Sequence, residues 1–291
     1  MRDSEWLVER FEERRGYLRA VAYRMLGSFS EADDALQEVW LRLSRSDRSD
    51  IENLNAWLTT VVGRVCLNML RSRERRREEL VGVRLPDPIV TGQHELDPAQ
   101  EVALADSVGL ALMVVIETLS PAERLAFVLH DIFAVSYEQI ASMLGRSPDA
   151  ARQLASRARR RMHDEAKVPD ADLSTQWQLV DAFLAAVRDG DFDRLVAVLD
   201  PDVVLRADAG PAGVSEDRGA EVVAGSALLW SRANQTVRRA LVNGTAGIVT
   251  IRNGRPFALV GFTIQGGKIA ELDILADPER LAKLDLTILE N

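Results

Sequence analysis

Residues 136–161 read Ser136-Tyr-Glu-Gln-Ile-Ala-Ser-Met-Leu-Gly-Arg-Ser-Pro-Asp-Ala-Ala-Arg-Gln-Leu-Ala-Ser-Arg-Ala-Arg-Arg-Arg161. The run contains two helix starts. Ser136 with Gln139 three residues on, and Ser147 followed by Pro148 and Asp149, each place a hydroxyl where unpaired backbone N–H groups need an acceptor. Between them Gly145 turns the chain sharply at no steric cost. Helix, glycine turn, helix is the helix-turn-helix pattern. On the second helix Ala151, Leu154, Ala155, Ala158 and Met162 share one face at helical spacing, with Asp149, Arg152, Gln153, Ser156 and Arg160 opposite. Arg, Gln and Ser can reach base edges in a major groove, and the Arg159–Arg161 end suits phosphates. The plain alternative is a helical hairpin with a polar exterior.

Upstream, Ser120-Pro-Ala-Glu123 combines a capping hydroxyl, a proline at the first helical position and a glutamate at the third. Residues 98–166 therefore read as helical. Residues 78–97 carry Gly82, Pro86, Pro88 and Gly92 without sustained periodicity and read as a linker. Before them, one amphipathic helix runs from Ser4 to Met25 and closes at Gly27. A second starts at Ser30 with Asp33 and runs to about Leu43, and a third runs from about Asn53 to Arg77. On the second, Ala32, Leu36, Val39, Trp40 and Leu43 form a core face. Asp34, Gln37 and Glu38 surround Leu41 on the other, an apolar residue in an acidic face that suits protein docking. On the third, Trp57, Arg64, Asn68, Arg71 and Arg75 line up beside an apolar face of Leu58, Val61, Val65 and Met69. An aromatic leading a row of arginines can follow a nucleic-acid backbone and stack an exposed base; Trp57 as the edge of a core is the alternative.

After a short hinge at 167–172 the pattern changes. Helical stretches at 173–188 and 191–199 precede a short strand near 202–206 and a helix near 219–232. Strand-like runs follow at 236–242, 246–252, 256–264 and 268–275, with hairpin turns at Asn253-Gly254 and Gly266-Gly267. Helices first and strands later is an α+β signature.

The 291 residues carry a formal charge of −9, which on average argues against a nucleic-acid partner. The distribution reverses that argument. Lys167, Lys268 and Lys283 are the three lysines, and arginines concentrate in two tracts, Arg71 to Arg77 and Arg152 to Arg161. Arginine grips phosphate with a bidentate fork that lysine lacks. Apolar content of 47% excludes wholesale disorder. No apolar run approaches the length of a membrane span and no signal peptide opens the chain, so a cytoplasmic location is expected. A lone cysteine, Cys66, builds neither an internal disulfide nor a zinc site, and no cofactor or metal is expected.

Together these pieces resemble a bacterial sigma factor of the extracytoplasmic-function type. Glu31-Ala-Asp-Asp-Ala-Leu-Gln-Glu-Val-Trp-Leu-Arg-Leu43 looks like the family's core-polymerase-binding helix. Ala56-Trp57-Leu58 through Arg77 is similar to the helix that opens and reads the −10 element. Ser136 to Pro148 with Arg157-Ala-Arg-Arg-Arg161 resembles the −35-reading helix-turn-helix. Residues 167–291 resemble a subgroup with a C-terminal SnoaL-like domain, a cone of helices and curved sheet in the ketosteroid-isomerase fold. Leu85-Pro-Asp-Pro-Ile-Val90 is similar to that subgroup's Trp-Leu-Pro-Glu-Pro-Leu-Val linker box, with Arg84 in place of its Trp. Asn253-Gly-Arg-Pro256 and Asp273-Ile-Leu-Ala-Asp-Pro-Glu-Arg-Leu281 look like its C-terminal landmarks. Asp208-Ala-Gly-Pro211 stands where the subgroup has an Asp-Gly-rich loop that touches the sigma domains.

The resemblance implies an all-α N-terminal two-thirds followed by an α+β SnoaL-like cone. It divides the chain into sigma region 2 (1–77), a linker with a proline box (78–105), sigma region 4 (106–166) and the SnoaL-like domain (173–288). It implies core RNA polymerase and promoter DNA as partners, no membrane, and room for a small-molecule ligand in the cone. Polymerase docking falls to Asp34, Gln37, Glu38 and Leu41. The −10 element falls to Trp57, Arg64, Asn68, Arg71 and Arg75, and the −35 element to Arg152, Gln153, Ser156, Arg157 and Arg160. A regulatory contact between linker and C-terminal domain falls to Leu85, Pro86, Asp87, Pro88, Asp208, Asn253, Gly254 and Arg255. Two rivals remain at this point. One is a ligand-responsive helix-turn-helix regulator, which leaves residues 1–76 unexplained. The other is a SnoaL-type enzyme fused to a DNA-binding module. Every His, Tyr and Cys precedes residue 167, so catalysis in the cone would rest on Asp208, Glu271 or Asp273, with Arg206 or Trp230 as donor; no catalytic residue is assigned.

Overall fold

The computed structural model describes residues 2–46, 53–76, 84–91, 110–165, 170, 172–231, 235–284 and 286. Most of the expected linker, residues 47–52 and Arg77 lie outside them. The chain divides into two compact units, Met1–Leu80 with Thr118–Glu165, and Val81–Glu117 with Ala166–Asn291.

The first unit is helical. α1 (Arg2–Leu26) ends at Gly27, whose φ of +69° stops the helix, and α2 (Phe29–Arg45) follows at once. The expected start at Ser30 is two residues late. Ser28 is the extended residue before the helix, and Phe29 stacks flat on Tyr23 at 4.4 Å, so aromatic packing fixes the entry. Ser30 sits in the first turn, and Asp33 is held by Arg19 at 2.8 Å. α3 (Leu54–Arg76) is capped by Asn53, whose Oδ1 accepts from Ala56 N at 3.1 Å. After α4 (Leu110–Thr118), α5 (Pro121–Phe127) opens with the full capping box. Glu123 N donates to Ser120 Oγ while the Glu123 carboxylate accepts from Ser120 N. α5 runs on into a π-helical turn at Val128–Ile132 that periodicity does not reveal. Then come α6 (Tyr137–Leu144), Gly145 at φ +64°, and α7 (Pro148–Glu165). Ser136 Oγ accepts from Gln139 N and Ser147 Oγ from Ala150 N, as their spacing implies.

The second unit is a cone. α8 (Leu173–Asp189), α9 (Phe192–Val198) and α10 (Ala220–Ser231) pack with a seven-stranded sheet. Its strands are β1 (Val90–Thr91), β2 (Leu199–Asp208), β3 (Val214–Arg218), β4 (Thr236–Val242), β5 (Thr245–Arg252), β6 (Arg255–Gln265) and β7 (Lys268–Leu275), in the order β1-β4-β5-β6-β7-β2-β3. β2 runs parallel to β7 and every other pair is antiparallel. α11 (Pro278–Leu281) follows the last strand. β3 escapes sequence reading because Val214-Ser-Glu-Asp-Arg218 is a largely polar edge strand with one apolar residue. β1 escapes because it is two residues of the linker laid on β4, Val90 opposite Val242 and Thr91 opposite Leu241.

Side chains alternate across the sheet. One face, with Leu205, Ile248, Phe262 and Leu272, packs under α8 and α10. The other, with Ala240, Val242, Val249, Leu259 and Leu275, packs against Leu110 and Leu281. Leu110 therefore belongs to the second unit's core. Gly261 is why α4 can lie so close: a Cβ there would sit 3.0 Å from Leu110 Cδ2. No helix among the described residues is long and apolar enough to cross a membrane.

Candidate nucleic-acid interface and linker clasp

The structure separates α7 into the two faces expected of it. Ala151, Leu154, Ala155, Ala158 and Met162 are buried. Arg152, Gln153, Arg157 and Arg160 are exposed and Ser156 is half-buried. Arg152 is steered by Asp149 at 2.8 Å and lies 5.2 Å over the Tyr137 ring. Arg157 and Arg160 make no hydrogen bond to another described residue. At the Arg159–Arg161 end two of the three arginines are engaged within the unit. Arg159 pairs with Asp131 at 2.8 Å and donates to Tyr137 Oη at 3.0 Å; Arg161 reaches Thr118 O at 3.4 Å. Those two brace α7 against its own unit. Burial pushes the Asp131 carboxyl above its ordinary range, partly offset by Arg159.

On α3 the stripe Arg64, Asn68, Arg71 and Arg75 is exposed and Trp57 is half-buried. Two arginines of this helix are engaged within the unit. Arg73 donates to Leu26 O at 3.1 Å and pairs with Glu31, tying α3 to the α1–α2 corner. Arg64 donates through Nη2 to Ser142 O at 3.0 Å and Ser142 Oγ at 3.4 Å. It thus grips the first helix of the helix-turn-helix. Gly63 marks where α3 comes closest: a Cβ there would lie 2.8 Å from Met143 Sδ, 3.3 Å from Leu129 Cδ1 and 3.4 Å from Leu125 Cδ1. α3 accordingly serves two cores. Leu58, Val61 and Val65 are buried as expected and Met69 only partly, while Val62, Cys66, Leu67 and Leu70 are buried too. Burial pushes the Cys66 thiol up to about 12.

On α2, Asp34 and Gln37 are exposed, Glu38 pairs with Arg42 at 2.8 Å, and Leu41 is 38% exposed. Trp40 is not core. It is half-buried, tilted against Phe11 at 5.3 Å, and lines a groove of about 430 Å³ with Val8, Leu36 and Gln37.

In the second unit the linker box is clasped. Arg280 of α11, buried, donates Nε to Asp87 Oδ1 (2.7 Å), Nη1 to Asp208 Oδ2 (2.7 Å) and Nη2 to Leu85 O (2.6 Å). Asp208 also accepts from Leu85 N at 3.1 Å and Gly210 N at 2.9 Å. Farther along, Ile89 N donates to Asn243 Oδ1 and Asn243 N to Ile89 O, both at 2.8 Å. Leu85, Asp87 and Asp208 meet here, and Pro86 and Pro88 are buried beside them. Asn253, Gly254 and Arg255 do not join them. They form the exposed β5–β6 turn, with Asn253 at φ +52° and Gly254 at +74°, at the opposite end of β5 from the linker. The hairpin turn that holds the linker is Asn243-Gly244, whose Asn-Gly signal matches that of 253–254. Arg280 itself lies inside the Asp273–Leu281 stretch that forms one of the C-terminal landmarks.

The carboxylates weighed for catalysis are committed elsewhere. Asp208 is in the clasp. Glu271 and Asp273 pair with Arg206 at 3.2 and 3.1 Å. Burial pushes the Asp273 carboxyl up to about 6, against the pull of Arg206. Burial works against the Arg206 guanidinium, but Asp273 and Glu271 outweigh it and raise its pKa.

A helix-turn-helix with an exposed Arg/Gln reading face, packed with a three-helix module that presents a second arginine stripe, defines a promoter-recognition protein of the sigma-70 class. Family comparison agrees: residues 10–76 match Sigma-70 region 2 and residues 109–162 match Sigma-70, region 4. The chain is 40% identical over 292 aligned residues to the ECF RNA polymerase sigma factor SigJ of Mycobacterium tuberculosis, covering 94% of this chain and 92% of that protein. It is 34% identical to the probable ECF RNA polymerase sigma factor SigI of the same species, covering 93% of each. The crystal structure of M. tuberculosis SigJ superposes with a TM-score of 0.73 at 36% identity, over 96% of this chain and 99% of that one. The chain belongs to the extracytoplasmic-function sigma factors of RNA polymerase. As such it directs core polymerase to promoters, and it carries an α+β cone after the sigma regions.

Proposed function

We propose that the C-terminal cone regulates this sigma factor by holding the linker that joins region 2 to region 4 in sequence. The clasp of Arg280 on Asp87, Asp208 and Leu85 O carries this reading. A linker tied at Leu85, Asp87 and Ile89 cannot also move freely to let the two regions take up their promoter spacing. In this reading region 2 spans 1–77, the linker 78–105, region 4 106–166 and the cone 173–288. Asp34, Gln37, Glu38 and Leu41 dock on core polymerase. Trp57, Arg64, Asn68, Arg71 and Arg75 meet the −10 element, and Arg152, Gln153, Ser156, Arg157 and Arg160 the −35 element. The protein acts in the cytoplasm, where its polymerase is.

The spacing of the promoter elements supports a required rearrangement. Elements centred 25 base pairs apart lie about 85 Å apart on B-DNA at about 3.4 Å per pair. α3 packs directly against α5 and α6, so one such unit cannot read both at once. Polymerase binding has to separate the halves and release Arg64 from Ser142. Run-off transcription with core enzyme tests the regulatory part. The full chain, the chain truncated after Lys167 and Arg280→Ala are compared on one promoter. Altered output from the truncated chain and from Arg280→Ala, in the same direction, is expected. Equal output from all three refutes regulation through the linker, while start-site selectivity by any of them still reports sigma activity.

A further inference from the structure

The cone encloses a cavity of about 110 Å³ that the sigma function does not use. Phe183, Leu184 and Val187 of α8 close it on one side and Ala227 and Trp230 of α10 on another. The sheet floor is Leu205, Ile248, Val260, Phe262, Leu272 and Ile274. Sheet register decides its chemistry. Leu205 faces Leu272 and Ala207 faces Ile274 across β2 and β7, on the cavity side. Between them Arg206 stands opposite Asp273, which alternation sends to the other face with Glu271 and Asp208. Every ionisable group of these two strands at this level is therefore screened from the cavity by the sheet. Of the fifteen lining residues two are polar, Gln235 and Thr250. Thr250 Oγ1 already donates to Ala258 O at 3.3 Å. Gln235 spends Nε2 on Trp230 O at 3.3 Å, and its carboxamide oxygen makes no hydrogen bond to a described residue.

We infer that this cavity is a binding site for a small neutral molecule, an apolar ring about the size of benzene bearing at most one hydroxyl, which donates to Gln235. A charged ligand would lose its hydration with nothing to replace it. Size sets the upper limit. A 150 Å³ apolar cavity takes benzene, so a ring seated in this smaller one also occupies part of the open mouth, and drug-sized ligands, which fill roughly 300 Å³ or more, are excluded. A longer ligand has to project through the mouth, where Trp230 and Val237 remain 40% and 38% exposed. Trp230 against Phe257, ring centroids 6.2 Å apart, supplies an aromatic rim. The site has binding chemistry without acid–base chemistry. It stands on the cone alone, so it holds or fails independently of the linker clasp.

The test uses the full chain with p-cresol, toluene and benzoate as probes. Ligand-observed NMR and thermal unfolding are read together on wild type, Ala227→Phe and Val187→Phe, each of which fills the cavity from a different helix. Expected is one saturable site for p-cresol with a dissociation constant on the order of 1 mM or below. Excess p-cresol should raise the melting temperature by about 3 °C. Toluene should bind at least threefold more weakly, for want of the hydroxyl, and benzoate not measurably. At least tenfold weaker binding should follow in whichever filled variant keeps its wild-type circular dichroism. Absence of p-cresol binding to folded wild type overturns the proposal. So does undiminished binding in a folded filled variant, which places the ligand elsewhere, and so does benzoate binding as tightly as p-cresol. If neither filled variant keeps the wild-type spectrum, displacement of p-cresol signals from Phe183 and Phe262 in intermolecular nuclear Overhauser spectra decides, and their absence counts against the site.

Discussion

Gly63→Leu should open the first unit. The Cβ alone would arrive 2.8–3.4 Å from Met143, Leu129 and Leu125, and leucine adds three further carbons on the same line. Overpacking a fitted contact costs about 1–3 kcal/mol. Arg64's two hydrogen bonds to Ser142 are lost with the contact, though at an exposed site they add little. Replacing glycine in a helix gains up to about 1 kcal/mol of propensity, but α3 is a helix whether or not it touches α6. That gain stabilises both arrangements and leaves the equilibrium between them to the clash. A shift of about 1–3 kcal/mol is roughly a 5- to 150-fold change in that equilibrium. Gly63→Ala is the control, because its worst contact is the flexible end of Met143. Small-angle scattering of the free protein should show a larger radius of gyration for Gly63→Leu and an unchanged one for Gly63→Ala. Anisotropy with a −35 duplex should show tighter binding by the leucine variant alone. An unchanged radius and unchanged affinity in a folded Gly63→Leu would refute the view that contact at Gly63 holds the unit closed.

Other outcomes follow from the same geometry. Arg280→Ala leaves Asp87 and Asp208 buried without their cation and should cost about 3–5 kcal/mol, read as a lower urea midpoint for the cone. Asp273 titrates near 6 when folded and near 3.9 when unfolded. Its folded state thus holds the proton more tightly, and its contribution is fullest below pH 4 and lost as pH rises through 6. Melting temperature measured from pH 4 to 7 should accordingly rise for Asp273→Asn relative to wild type as pH increases. Cys66, fully buried with its thiol pushed up to about 12, should resist Ellman's reagent at pH 8 in the native chain and react on denaturation; rapid native labelling would contradict the packing of α3.

What the residues disclose in advance depends on where the deciding contact lies. Ser120, Ser136 and Ser147 cap their own helices, so a few neighbouring residues suffice to place α5, α6 and α7. The strands of the cone are as plain, because Ala240-Leu-Val242, Ile248-Val-Thr250 and Leu259 to Ile264 are buried runs between glycine turns. Arg64 and Arg73 are different. Both sit among arginines that spacing assigns to DNA, yet Ser142 is 78 positions away from the first and Leu26 lies 47 before the second. A helical stripe gives a direction and cannot say which of its members meets protein. The two Asn-Gly turns make the same point. Asn243 and Asn253 carry identical local signals, and what separates them is the arrival of Ile89 from more than 150 residues upstream.

The clasp is built from groups whose burial is costly, and that cost bears on its use. Arg280 serves two buried carboxylates, and backbone N–H groups of Leu85 and Gly210 also donate to Asp208. An apolar plug of similar volume would hold the linker at least as firmly, since desolvation of a buried pair offsets most of its Coulombic gain. Apolar contacts, however, weaken gradually as surfaces slide apart. Here Leu85 supplies both an N–H and a C=O to the same Arg280–Asp208 pair, so a shift of the linker by one residue leaves charge and backbone unsatisfied together. Intermediate positions are therefore disfavoured against both the fully seated linker and the fully hydrated one, where each group regains water. A linker so held has two states with little between them, and that is the property a regulatory contact needs and a permanent structural one does not.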